Sequence, residues 1–442
     1  MAEVELLPIA TMIHLILGLM TIILVFRSEK SNHNERFAAL VLGWILLILG
    51  INYLFRTIID YQVNNDLITS GEFATSFLRF GAQSTWVVFI GLLVILSLTY
   101  PYPLIQSSKV VTLGCISTIL ITLIFIPTGI VTNFEYDSSI GLFLLFPFLI
   151  WLGVYLRYLY SELIDDRKED RTISAVAALL IFAAFGEWLT YWLGIITTQE
   201  NHFSSRFAVG GSELSDPNII NMVMESAVQA IVAVSIISIF IGEVWRCRKK
   251  GISGVSIFTF SLFVLGILWF IFDYTQMGIV DSCVETQCKS FNKVYNTYYI
   301  FTSQIIRFLL VPLIFMYVIL NFNLIETGGE NVWFTRVLVL LMLLIVTSSI
   351  IELIQTVLPI PQMITSALFA AAVVVFIGWE ERITSGMIRQ SSSVANTLLQ
   401  SEEVLDFTIS RNEYKTYNIS VGVSIILALM ISLLISLMGI NS

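Results

Sequence analysis

The chain has 442 residues, of which 57% are hydrophobic and only 12% charged, with a net charge of −9 and a mean hydropathy of +0.86. A soluble domain carries about a quarter of charged residues, so this composition excludes that class, and the acidic balance excludes a basic footprint for nucleic acid. Four cysteines and three histidines exclude a disulfide scaffold and leave little for a metal or haem site, so no metal or other cofactor is expected. There is no glycine-rich phosphate loop, no HExxH and no GxSxG.

Apolar runs of about 20 residues, the length a membrane helix needs, recur along the chain. They predict an all-α, polytopic integral membrane bundle of twelve helices, at 6–26, 38–60, 83–100, 110–130, 139–160, 173–195, 218–242, 254–279, 298–320, 333–356, 359–379 and 418–439. The first has no positive region before it and is longer than a signal-peptide core, which reads as a retained helix. His14 within it reads as a packing or hydrogen-bonding residue. The alanine-rich runs of helices six and eleven mark close helix contacts. Pro147 in helix five and Pro312 in helix nine are expected to bend their helices.

Orientation follows from the basic residues. With the N-terminus outside, the inner loops hold Arg27, Lys30, Arg36, Lys109, Arg157, Arg167, Lys168, Arg171, Arg246, Arg248, Lys249, Lys250, Arg336, Arg382, Arg389, Arg411 and Lys415, most of the 23 in the chain. The acidic residues divide evenly between the two sides, so the outer side is strongly acidic. It would attract cations, or be merely well solvated. The expected location is the cell membrane, with the lipid bilayer as first partner. No loop is large enough for a soluble catalytic domain. The longest inner one, 380–417, carries Val394, Leu398 and Leu405 on one helical face, and reads as an amphipathic segment docking on the inner surface or on a signalling partner.

A weak internal repeat suggests two parallel six-helix halves, 1–217 and 218–442. The passage across helix two, ending in Asp60-Tyr61, is similar to that across helix eight, ending in Asp273-Tyr274.

The stretch YYIFTSQIIRFLLVPLIFMYVIL, helix nine, places Arg307 deep in an apolar span. A charge there costs about 2.5–3.5 kcal/mol on insertion scales, so it needs a partner. Topology places Glu187, Glu225, Asp273 and Glu352 at the midplane or above it, with Arg56 and Asp60 near the outer end of helix two. The inner half of the helical body is expected to be nearly free of charge. Two readings stand side by side. Arg307 and these carboxylates line an outward-facing ligand or cation site, or they are satisfied packing near one end of a bundle. For Arg56 and Asp60, spaced i,i+4, the local pair is the simpler account. Cys283 and Cys288, in the outer loop before helix nine, are candidates for a disulfide.

The segment LRYLYSELIDDRKEDRTISAVAALLIFAAFGEWLTYWL, 156–193, resembles the helix five–loop–helix six portion of prokaryotic seven-helix membrane sensor modules, the domains placed ahead of histidine kinases and cyclase-type outputs. The Tyr-Pro pair ending helix three suits the same group. The resemblance extends over helices one to seven and implies a sensing role through a separate output protein. It assigns no binding residue, and beyond helix seven five further helices take the place of a kinase or cyclase. The leading expectation is a receptor-like or accessory protein that binds a small ligand or partner at its outer polar layer. The rival is a secondary transporter using Arg307 and the carboxylates. An enzyme is the least favoured reading, because no nucleophile–base pair or metal cluster stands out.

Overall fold

The computed structural model describes residues 6–27, 33–64, 73–104, 109–131, 137–167, 170–190, 219–281, 308–322, 324, 332–357, 367, 370–371 and 411–437. Apart from short turns these are helical, and no strand occurs among them. The helices are α1 (Leu6–Arg27), α2 (His33–Asn64), α3 (Phe73–Thr99), α4 (Lys109–Leu120), α5 (Ile126–Val131), α6 (Asp137–Ile164), α7 (Asp170–Thr190), α8 (Ile219–Lys250), α9 (Gly254–Asp281), α10 (Val311–Asn321), α11 (Val332–Val357) and α12 (Arg411–Leu437). Six stretches among the described residues are long and apolar enough to cross a membrane: Leu7–Arg27, Glu35–Ile59, Ser76–Thr99, Val111–Gly129, Phe143–Ile164 and Asn412–Leu434. The protein is a helical, membrane-embedded one.

Several helices outrun the apolar stretches that announce them. Helix α2 begins at His33 rather than 38, α12 at Arg411 rather than 418, and α8 continues to Lys250 rather than stopping at 242. Hydropathy marks the part that suits lipid, whereas the backbone ladder continues through charged residues of good helix propensity. Two prolines coincide with a widened turn. Pro127 follows the π turn Ile121–Phe125, and Pro312 follows π-helical residues 308–310. Proline lacks an N–H and its ring crowds the carbonyl four residues back, and a wider turn accommodates both. Pro147, by contrast, lies within the continuous helix α6. The one non-helical residue recorded inside a described helix is Phe185 of α7, at φ −129° and ψ 15°.

The chain forms two compact units. The first comprises 1–150, 315–339 and 383–442; the second comprises 151–314 and 340–382. These are groupings by proximity, whereas the expected halves, 1–217 and 218–442, concern duplication, on which the grouping does not bear.

In the first unit α1 and α2 pack antiparallel at backbone contact. A Cβ on Gly18 would stand 2.6 Å from the Leu47 nitrogen, and one on Gly50 would stand 2.8 Å from the Leu15 nitrogen. Gly43 and Gly50 are seven residues apart and so share a face, which small residues let the facing helix approach. Next to this seam His14 is fully buried, its Nδ1 2.7 Å from the Ala10 carbonyl and its ring edge-on to Tyr53 at 5.0 Å. Asn52 bridges α2 to α3, donating to the Ala82 carbonyl at 2.6 Å and to Thr85 Oγ1 at 3.1 Å. Helix α12 lies against α3 and α4 along a buried stripe of Tyr417, Ser420, Ser424, Ala428, Ser432 and Ser436. Three of these serines donate to the carbonyl four residues back, and Ser432 also meets Ser84 at 3.1 Å. Just past α3, buried Tyr100 has a phenol pKa raised by burial and then by the Glu35 carboxylate.

Candidate functional site

The second unit buries an ionic cluster that no apolar run predicts. It starts from α8, where Glu243 and Arg246 are three residues apart and so share a helix face. Arg246 is 1% exposed and Glu243 0%. The guanidinium donates from Nη1 to Glu243 Oε1 at 2.6 Å. On its other side it donates to Glu162 Oε2 from Nη2 at 2.9 Å and from Nε at 3.2 Å. Nη2 also donates to Ser174 Oγ at 2.5 Å.

Each partner is placed by an identifiable local rule. Tyr155 and Glu162 are seven residues apart on α6, two turns on one face, and the Tyr155 hydroxyl donates to Glu243 Oε1 at 2.6 Å. Their helix can come this close to α8 because position 242 is glycine. A Cβ there would stand 2.7 Å from Leu159 Cδ2 and 2.8 Å from the Tyr155 hydroxyl. Ser174 stands one turn inside α7. The fourth contact comes through the turn after α8. Gly251, at φ +86°, takes the left-handed conformation that ends a helix, and its N–H donates to the Cys247 carbonyl at 3.2 Å. Ser253 then caps α9, its Oγ accepting from the Ser256 N–H at 3.2 Å. That aims Ser256 Oγ at Glu243 Oε2, to which it donates at 2.6 Å.

The result ties α6, α7, α8 and α9 together at one end. Both oxygens of Glu243 are taken by protein donors: Tyr155 and Arg246 on one, Ser256 on the other. Burial works against the charge on Arg246, but Glu243 and Glu162 outweigh it and hold the guanidinium above its ordinary pKa. One guanidinium against two carboxyl groups is stable out of water only with this many supporting hydrogen bonds. The site is closed: its donors and acceptors face one another. Nearby, a cavity of about 20 Å³ lined by Phe182, Ile236, Ile239, Phe240, Thr259, Leu262 and Phe263 is apolar and has room for a single water. Among the described residues no group of His, Cys, Asp or Glu could hold a metal ion.

The chain matches no family model, no curated protein and no solved structure.

The residues singled out from sequence are placed as follows. Arg307, Cys283 and Cys288 lie outside the described residues. Glu187, Glu225, Asp273, Glu352 and Asp60 are on described helices, α7, α8, α9, α11 and α2, but their side chains lie outside the described residues. Arg56 is half-buried on α2. Of the segment 380–417 only 411–417 is described, and it is the first part of α12 rather than a loop. Cys115 and Cys247 are free thiols.

Glu162, Glu243 and Arg246 lie just past the ends of the spans expected at 139–160 and 218–242, on helices that continue beyond those ends, and all three are buried. In the sequence Arg246 reads as part of a loop because it opens the run RCRKK. The α8 ladder in fact continues past it, and Glu243 one turn earlier gives it a partner. Two spacings carried the signal: Glu243 with Arg246 at i,i+3, and Tyr155 with Glu162 at i,i+7. Glu162 and Ser174 also lie within the segment that carries the seven-helix sensor resemblance.

Proposed function

We propose that this protein is a receptor-like or accessory membrane protein, N-terminus outside and with twelve crossings in the cell membrane, that binds a small ligand or partner at its outer polar layer and has no catalytic output of its own. Arg307, with carboxylates among Glu187, Glu225, Asp273 and Glu352, is the outer layer. The Arg246 cluster is the inner one. On α8 the interval from Glu225 to Arg246 is roughly 30 Å at 1.5 Å per residue, about the thickness of the hydrocarbon core. That separation supports a reading in which the two polar layers of that helix stand at opposite faces of the membrane.

The observation that carries this reading is the closure of the inner cluster, where three protein donors take up the Glu243 carboxylate. Glu243 therefore leaves no open position for a transported ion at the inner cluster. A closed cluster instead sets a reference arrangement of helix ends, which ligand binding elsewhere shifts by favouring a second arrangement. Output then passes to a signalling partner at 380–417.

The test is reconstitution of the full chain in proteoliposomes, with flux of sodium, potassium, protons and small carboxylic acids measured alongside thermal-shift screening of charged solutes. The expected result is flux at the level of empty liposomes, together with a solute that raises the melting midpoint of the wild type but not of Arg307→Ala. Flux that disappears in Arg307→Ala and Glu352→Ala contradicts the proposal and favours the transporter.

A further inference from the structure

Outside the closed cluster, the same end of the second unit presents a face of different character. Along α8 the exposed residues Val234, Ile237, Ile241 and Val244 form one stripe at helical spacing, and Arg248 continues it by a further turn. Along α6 the exposed stripe of Leu156 and Tyr160 carries Arg157 beside it. The two stripes adjoin, because the Tyr160 and Trp245 rings meet at 6.4 Å. Lys249 is fixed at the junction: its ammonium donates to the Leu163 carbonyl at 3.1 Å and lies 5.5 Å from the centre of the Trp245 ring. The shared face is therefore apolar along its length and ends in two amphipathic rings and two cations, Arg248 and Lys249.

The nearby acidic groups have partners other than Arg248 and Lys249. Asp166 is paired with Lys250, and Asp165 accepts from Ser161 Oγ at 3.4 Å. Arg248 is exposed and has no carboxylate partner among the described residues. A ligand for this surface must place apolar chains along the stripes and a negative group at their end. Tyrosine and tryptophan seat at the level of lipid headgroups, and lysine and arginine lay their stems on apolar surface while the charge reaches toward phosphate.

We propose that Arg248 and Lys249, framed by Trp245 and Tyr160, form a binding site for the phosphate headgroup of an anionic phospholipid, whose acyl chains lie along the joined faces of α6 and α8. Positive-inside topology puts this site in the inner leaflet, where anionic lipids exert the stronger surface potential. The occupant is a lipid rather than a soluble anion, because the apolar stripes lead directly into the cationic end. The site uses side chains distinct from those of the Arg246 cluster, and it stands or falls separately from the outer ligand layer.

The experiment is native mass spectrometry of the full chain released from detergent, titrated with phosphatidylglycerol or with phosphatidylcholine of the same chain length. Wild type retains phosphatidylglycerol on the order of tenfold more tightly than phosphatidylcholine. In the double variant Arg248→Gln, Lys249→Gln that preference falls to about parity, while phosphatidylcholine binding is unchanged. Both side chains are exposed, and an unchanged melting midpoint in the absence of added lipid confirms that the variant is folded. Equal retention of the two lipids by wild type, or an undiminished preference in the folded variant, overturns the site. Displacement of the lipid by inorganic phosphate at equal concentration overturns the choice of a lipid over a free anion.

Discussion

In the first unit, α1, α2, α3 and α12 meet through glycines and hydroxyls, whereas at the end of the second unit α6, α7, α8 and α9 meet through ions. The first arrangement satisfies polar groups mostly within each helix: Ser424, Ser432 and Ser436 all donate to their own i−4 carbonyls. Its cohesion is close packing at Gly18 and Gly50, and cross-helix hydrogen bonds such as Ser84–Ser432 add a modest amount, about 0.6 kcal/mol on average for membrane helices. The second arrangement satisfies polar groups mostly between helices, through Arg246, Glu162, Glu243, Tyr155, Ser174 and Ser256. Close packing yields stability that degrades gradually. A buried ionic cluster is cooperative, and losing one member strands the others.

The comparison can be broken most severely at Arg246. Arg246→Ala leaves two buried carboxyl groups without their cation and is expected to cost about 3–5 kcal/mol, read as a large drop in the melting midpoint of the detergent-solubilised protein. Tyr155→Phe removes one donor to Glu243 and is expected to cost about 1.5–3 kcal/mol by the same measurement. A loss below half a kilocalorie would mean that the cluster is not acting as a unit. On the glycine side, Gly50→Ala drives a Cβ against the Leu15 backbone, and overpacking of this kind costs about 1–3 kcal/mol. Gly153→Ala is the internal control. Nothing lies within 4 Å of a Cβ there, so the better helix propensity of alanine should leave stability unchanged or raise it by up to about 1 kcal/mol. The smallest loss is expected for Ser432→Ala, about 0.6 kcal/mol from the lost Ser84 contact.

The same contrast explains what was legible in the sequence. Apolar runs of membrane length announce α1 to α3 and α12, because lipid-facing and core-facing residues alike are apolar there. The alanines of α7 mark a close contact, and Ala177, Ala178 and Ala183 are all buried. The glycine seam was within reach too, through the seven-residue spacing of Gly43 and Gly50. The ionic cluster was hidden because hydropathy stops at the first charged residue, whereas a helix does not. Glu243 and Arg246 looked like the edge of a loop, and Glu162 like the end of a span. Whether such residues face water or one another is decided by neighbouring helices, through Ser174, Ser256 and the glycine at 242, and no single stretch of sequence contains that information. The widened turn before Pro127 was also missed, since it sits in an otherwise ordinary apolar run.

The central claim is that Arg246 and its carboxylates form one closed cluster rather than separate charges that happen to be near each other. A double-mutant cycle on Arg246→Met and Glu162→Leu, read as unfolding free energy in detergent, tests it most directly. The account predicts that the double variant is more stable than the Arg246→Met single variant, with a coupling energy of about 2 kcal/mol or more. Costs that add to within about 0.5 kcal/mol would show that the two side chains do not depend on each other, and the cluster would lose its standing as the organising element of the second unit.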